Sequence, residues 1–156
     1  MLYAEVPGFY AAVERARDAS LRERPVIVGG DPRRHGLVQV ATLDAQAVGV
    51  LRGMLMQDAL QRCPRARALR TEMPRYRTAS QVLRACLRRL VERLEPDDLG
   101  SAYLDPSGAR EAPAILAARL CDAVMSELRL PLRVGVAGTR LSAKLAAEEA
   151  GEAGVC

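Results

Sequence analysis

The chain has 156 residues, 49% hydrophobic and only 3% aromatic, with a formal net charge of +4. That apolar fraction excludes global disorder, and the shortage of aromatics implies a core of Ala, Leu and Val. No apolar run approaches the roughly 20 residues of a membrane span, and Met1–Glu5 has none of the regions of a signal peptide. A cytoplasmic protein with no membrane partner is expected.

Leu2–Val6 reads as a short strand, broken by Pro7-Gly8, and Phe9–Arg17 has helical composition. Pro25–Gly29 is a buried-strand pattern closed by Gly29-Gly30-Asp31-Pro32. Gly36–Thr42 is a second strand, and the connection Asp31-Pro32-Arg33-Arg34-His35 is basic. A short helix is expected over Asp44–Val48 and another over Met56–Arg62, stopped by Cys63-Pro64. Ala66–Leu69 is a brief strand, and Pro74 opens a long helix running to about Leu94. Ala102-Tyr103-Leu104 is strand material, Ala112–Leu128 a helix, Arg133–Ala137 a strand and Leu141–Ala150 a final helix. Residues 1–20 taken with 76–150 give an α+β sheet with helices on one face, interrupted by an inserted lobe at about 21–75.

Cys63, Cys86, Cys121 and Cys156 form no C-x-x-C pair, and His35 is the single histidine. The ligand spacing of a zinc site is missing, and the cysteines read as free thiols. The positive charge is concentrated. Residues 22–75 hold ten Arg against five acids, a net of +5, while the remainder holds thirteen basic and fourteen acidic residues. A segment of this kind suits a polyanion, or is simply a solvated basic surface.

Several segments then fall in a telling order. They are Phe9-Tyr10-Ala11-Ala12-Val13-Glu14, Arg24-Pro25-Val26-Ile27-Val28-Gly29-Gly30, and Gly36 through Val50. Next come Gly53-Met54-Leu55-Met56 with Cys63-Pro64, Arg75-Tyr76-Arg77, Glu95-Pro96 and Ala102-Tyr103-Leu104-Asp105. Val134-Gly135-Val136-Ala137 through Ala143-Lys144 closes the series. Their order and spacing resemble the palm and fingers of a Y-family (DinB/UmuC-like, translesion) DNA polymerase. The resemblance implies a ferredoxin-like palm from residues 1–20 and 76–156, with fingers at 21–75. The family's thumb and little-finger domains are not expected within these residues. The basic segment coincides with the fingers, so Arg33 and Arg34 are expected to touch DNA. His35 beside them is expected to be solvated.

Nucleotidyl transfer uses two divalent cations about 3.5–4 Å apart, held by converging carboxylates. The resemblance assigns these to an Asp on the first strand and an adjacent Asp-Glu on a neighbour. Here those positions are Glu5, Gly100 and Ser101. Asp98 lies two residues before Gly100, a displacement of about 6–7 Å in an extended strand, which is too far to replace it unless a bulge shortens the path. Asp97-Asp98 is expected as an exposed strand-entry turn. The family's triphosphate-holding Tyr and Arg of the fingers fall on Leu43 and Gln46, and a neutral amide is a weak substitute for a cation at phosphate. Tyr10 falls on the steric gate, which rejects a ribose 2′-OH, and Lys144 on the triphosphate lysine. Each also has a plain reading, a core-lining aromatic and a chance helix lysine.

Three readings follow. The first is an inactive polymerase-like protein of DNA repair and translesion synthesis, a pseudoenzyme docking on primer–template DNA weakly, or on a replicative or translesion polymerase or its accessory factors. Catalytic residues, metal (Glu5 at most) and cofactor are then not expected. The second is an active translesion core with an irregular Mg²⁺ site. The third is a protein-interaction module that no longer binds DNA.

Overall fold

The computed structural model opens with β1 (Leu2–Glu5), and Gly8, in the left-handed region at φ 56°, turns the chain into α1 (Phe9–Arg17). β2 (Val26–Gly29) and β3 (Val38–Ala41) flank the basic turn. α2 (Leu43–Ala47), α3 (Met56–Arg62), β4 (Arg67–Arg70) and α4 (Met73–Arg88) follow. β5 (Arg93–Asp98), β6 (Ser101–Asp105), α5 (Pro113–Leu128), β7 (Arg133–Val136), α6 (Arg140–Glu149) and β8 (Gly154–Val155) complete the order. The structure describes residues 1–151 and 154–155, so Cys156 lies outside the described residues.

Two differences from the sequence reading have one cause. The long helix stops at Arg88 rather than near Leu94, and residues 93–98 form β5 instead. β5 is an edge strand whose residues are mostly exposed. Edges tolerate charge and proline, and they carry no apolar alternation to read. β8, only two residues long, left no signal either.

The chain divides into two compact units, Met1–Pro7 with Tyr76–Cys156, and Gly8–Arg75. The first holds a five-stranded sheet in the order β5-β6-β1-β7-β8. Strands β1, β5, β6 and β7, with the helical segments between them, give the β-α-β-β-α-β order of a ferredoxin-like sheet. The α+β palm architecture is thus the one the sequence implied. β1 is central and antiparallel to both neighbours, with Tyr3 opposite Tyr103 and Gly135, and Glu5 opposite Ser101 and Arg133. Alternation puts these six on one face of the sheet. Leu2, Ala4, Ala102, Leu104 and Val134 share the other face and are fully buried, each leucine contributing about 1.5–3 kcal/mol of burial.

α6 lies across the Tyr3 face. A Cβ on Gly135 would stand 2.0 Å from the Ala143 carbonyl oxygen and 2.3 Å from the Ala147 nitrogen, so the helix backbone rests directly on the strand. Ala143 and Ala147 pack against Tyr3 in a small core. α5 runs along β7 and β8.

The Gly8–Arg75 unit has a three-stranded sheet in the order β3-β2-β4, with β2 antiparallel to β3 and parallel to β4. Ile27, Val38, Ala41, Ala45, Val50 and Met56 make its core, and α1 packs on β2 and β3. Gly30 and Gly36 let two chain segments touch, since a Cβ on Gly30 would lie 2.6 Å from the Gly36 Cα. Glu14 is buried, and its carboxylate accepts a hydrogen bond from Arg75 at 2.7 Å. Two residues of the family-like segments therefore meet as an ion pair inside this unit.

Candidate functional site

The first unit brings together three of the expected positions. Glu5 ends β1, and its cross-strand partner on β6 is Ser101. Gly100 occupies the two-residue turn between β5 and β6, where its carbonyl accepts the Val6 N–H at 2.9 Å. Gly100 and Ser101 thus stand beside Glu5 with no carboxylate of their own.

On the other side of Glu5 stands Arg133, its partner on β7. Arg133 Nε and Nη2 both donate to Glu5 Oε2, at 3.1 and 2.7 Å. Arg133 Nη1 donates to the carbonyls of Glu148 and Gly151 at 3.4 Å each. This places a cation at the C-terminal end of α6, the negative end of the helix dipole. A two-metal centre needs several hard oxygen donors converging on one point. The donors here do not fit one: a glycine, a serine, and a glutamate already engaged by a guanidinium. Among the described residues no three His, Cys, Asp or Glu side chains cluster closely enough to hold a metal ion.

Lys144 projects from α6, and its Nζ donates to Asp97 Oδ2 at 3.0 Å. The Tyr3 hydroxyl donates to the same oxygen at 2.8 Å. Lys144 and Tyr3 hold the Asp97 carboxyl below the usual carboxylate range, and Asp97 raises the Lys144 ammonium. Burial, foremost, pushes the Tyr3 phenol up to about 12. Tyr3 and Tyr103 meet at 4.8 Å between ring centres, with Lys144 over the first and Arg140 over the second. Arg140 in turn pairs with Glu95. Asp97 is thus no idle turn residue, as sequence had it. Nor is Asp98 in a turn: both aspartates end β5, where the register shifts between Pro96 and Asp98, Asp98 pairs with Ser101, and its carboxylate accepts the Leu99 N–H at 2.7 Å.

Tyr10 lies in the other unit and lines an open cavity of about 530 Å³ with Asp31, Leu37, Gln39, Arg70 and Thr71. Arg33 and Arg34 are exposed on a single 3-10 turn, whose start is capped by Asp31 Oδ1 accepting the Arg33 N–H at 2.9 Å. His35 ends that turn, exposed, at φ 55°. Leu43 is 53% exposed. The Gln46 amide folds back to donate to the Ala41 carbonyl at 2.7 Å.

Arg133 and Asp97 are the site residues that sequence reasoning missed. For Arg133 the signal was a charged side chain on a strand-like segment, whose meaning depends on which strands pair; Asp97 gave none, because β5 does not read as a strand.

Comparison with known proteins places this arrangement. Residues 5–148 match the impB/mucB/samB family. The chain is 34% identical over 152 residues to DNA polymerase IV of Halorhodospira halophila, covering 96% of this chain and 43% of that protein. It is 37% identical over 153 residues to DNA polymerase IV of Methanoculleus marisnigri, covering 95% and 42%. Its fold superposes with a TM-score of 0.91 on DinB from Sulfolobus solfataricus, at 25% identity over 99% of this chain and 46% of that one. An insertion ternary complex of Dbh DNA polymerase gives 0.90 at 25% identity, over 99% and 47%. The chain spans less than half the length of these relatives. From the match across residues 5–148 and the shared fold, the chain belongs to the impB/mucB/samB family, the Y-family of translesion-type DNA polymerases.

Proposed function

We propose that this chain is a catalytically inactive Y-family palm and fingers that acts as a docking accessory in DNA-damage tolerance. Residues 1–20 and 76–156 serve as palm and 21–75 as fingers. The observation that carries the reading is the register of Glu5 against Ser101, with Gly100 in the adjoining turn. One altered carboxylate does not anchor two divalent cations.

Docking on primer–template DNA is supported by the exposed Arg33-Arg34 turn. It is also supported by the neighbouring Dbh structure, a ternary insertion complex. Affinity is expected to be weak, because the contact is one basic lobe. A partner polymerase is the other docking surface in this reading. Its cellular site is the cytoplasm; no helix among the described residues is long and apolar enough to cross a membrane.

Primer extension with Mg²⁺ or Mn²⁺ tests the inactive reading. No templated incorporation is expected. Incorporation that Glu5→Ala abolishes would sink it in favour of an active core with an irregular metal site. Absence of DNA binding even in low salt would instead favour a protein-only module.

A further inference from the structure

We propose that the Met1–Pro7 and Tyr76–Cys156 unit carries its own counter-charges: Arg133 stands for the metal at Glu5, and Asp97 stands for the triphosphate at Lys144. The inference rests on the reading that the metal site is lost, and adds what replaced it.

The two pairs are built rather than incidental. Glu5 and Arg133 are cross-strand partners, so the sheet ladder and not a wandering stem brings them together. Their side chains are only 29% and 17% exposed, which limits solvent screening. Arg133 commits Nε and Nη2 to one carboxylate oxygen and Nη1 to the carbonyls ending α6. A cation arriving at Glu5 would have to displace a guanidinium at 2.7 Å and leave it beside a second positive charge.

Asp97 answers the same need with opposite sign. Its Oδ2 accepts from both Lys144 Nζ and the Tyr3 hydroxyl. Lys144 also lies 5.2 Å from the centre of the Tyr3 ring, so an anion must break a three-part contact to claim the lysine. Neither Arg133 nor Asp97 belongs to the segments that carry the family resemblance. Yet each meets one of the two positions to which that resemblance assigns a charge partner. The unit is complete without divalent cation or nucleotide.

The test uses the whole chain and the free Mn²⁺ signal in electron paramagnetic resonance. The natural chain is expected to leave Mn²⁺ free. Gly100→Asp with Ser101→Glu restores the carboxylates but binds weakly. Adding Arg133→Met to that pair is expected to tighten binding about tenfold. Equal affinity with and without Arg133 would overturn the assignment of Arg133 while leaving the inactive reading standing. Mn²⁺ binding by the natural chain that Glu5→Ala removes would overturn the lost-site reading itself. A second arm is independent of the grafted carboxylates, in case those variants fold poorly. With inorganic tripolyphosphate as probe, Asp97→Asn is expected to bind about fivefold tighter than the natural chain, and Lys144→Ala to reverse the gain. Equal binding by the natural chain and Asp97→Asn would overturn the Asp97 assignment.

Discussion

Arg133 lies directly opposite Glu5 in the β1–β7 ladder and donates two hydrogen bonds to a single carboxylate oxygen. Removing the guanidinium leaves a sheltered carboxylate facing the buried Ser101. Arg133→Ala is expected to destabilise the fold by about 2 kcal/mol. Combined with Glu5→Gln, the loss should be smaller than the sum of the single losses. Urea unfolding of the four proteins near neutral pH checks this, and strictly additive losses would show the pair to be uncoupled.

The Tyr3 phenol holds its proton more tightly in the fold than in the unfolded chain, with a value raised from 10.0 to about 12, chiefly by burial. A raised value contributes stability that is complete below the unfolded value and lost as pH rises through the folded one. Relative to Tyr3→Phe, the natural chain should therefore lose stability between about pH 10 and 12. A spectrophotometric titration of the natural chain against Tyr3→Phe should find that the variant lacks a phenol ionising at about 12. Asp97 works in the other direction. Its lowered value makes its contribution fade as pH falls below 3.8, the ordinary value for Asp. A Tyr3→Phe variant with an unchanged alkaline stability profile would remove this account.

Gly135→Ala places a Cβ within 2.0 Å of the Ala143 carbonyl oxygen. The obstacle is helix backbone, which has no rotamer to change. A loss of about 3 kcal/mol or more is expected, with α6 lifted from the sheet. Thermal melting measures the loss, and a melting temperature within a degree or so of the natural chain would contradict the packing described for α6.

The exposed Arg33-Arg34 pair is expected to meet phosphate. Replacing both with alanine should weaken binding to primer–template DNA alike for every sequence. It should also flatten the slope of log K against log salt by about 2. Fluorescence anisotropy across a salt series measures both. An unchanged slope would show that this turn does not face the DNA backbone.

Most of the scaffold was legible in sequence because it is written in buried strands and glycine turns. Val26–Val28 is wholly buried, and a continuous apolar run of that kind announces itself. Gly29-Gly30 and Gly36 mark a close backbone approach that no other residue permits. β6 was legible because Ala102-Tyr103-Leu104 is an apolar run just past Gly100. β5 was not, because an edge strand with Leu94 as its one large apolar residue looks like the tail of a helix. The partners of Glu5 and Lys144 were unreadable for a different reason. Arg133 lies 128 residues from Glu5, and Asp97 lies 47 from Lys144. Only strand pairing and the seating of α6 make neighbours of them.

Gly135 has a consequence for how such a site changes over time. Because α6 is seated backbone-on-backbone, close packing holds it in place in addition to what Lys144 holds. The lysine's point of departure is fixed by two alanines and a glycine. Side chains around it are therefore free to be exchanged one at a time, anion for anion and cation for cation, without the helix shifting to meet them. A frame seated in this way fixes where its side chains start and leaves what they hold to the neighbouring strands.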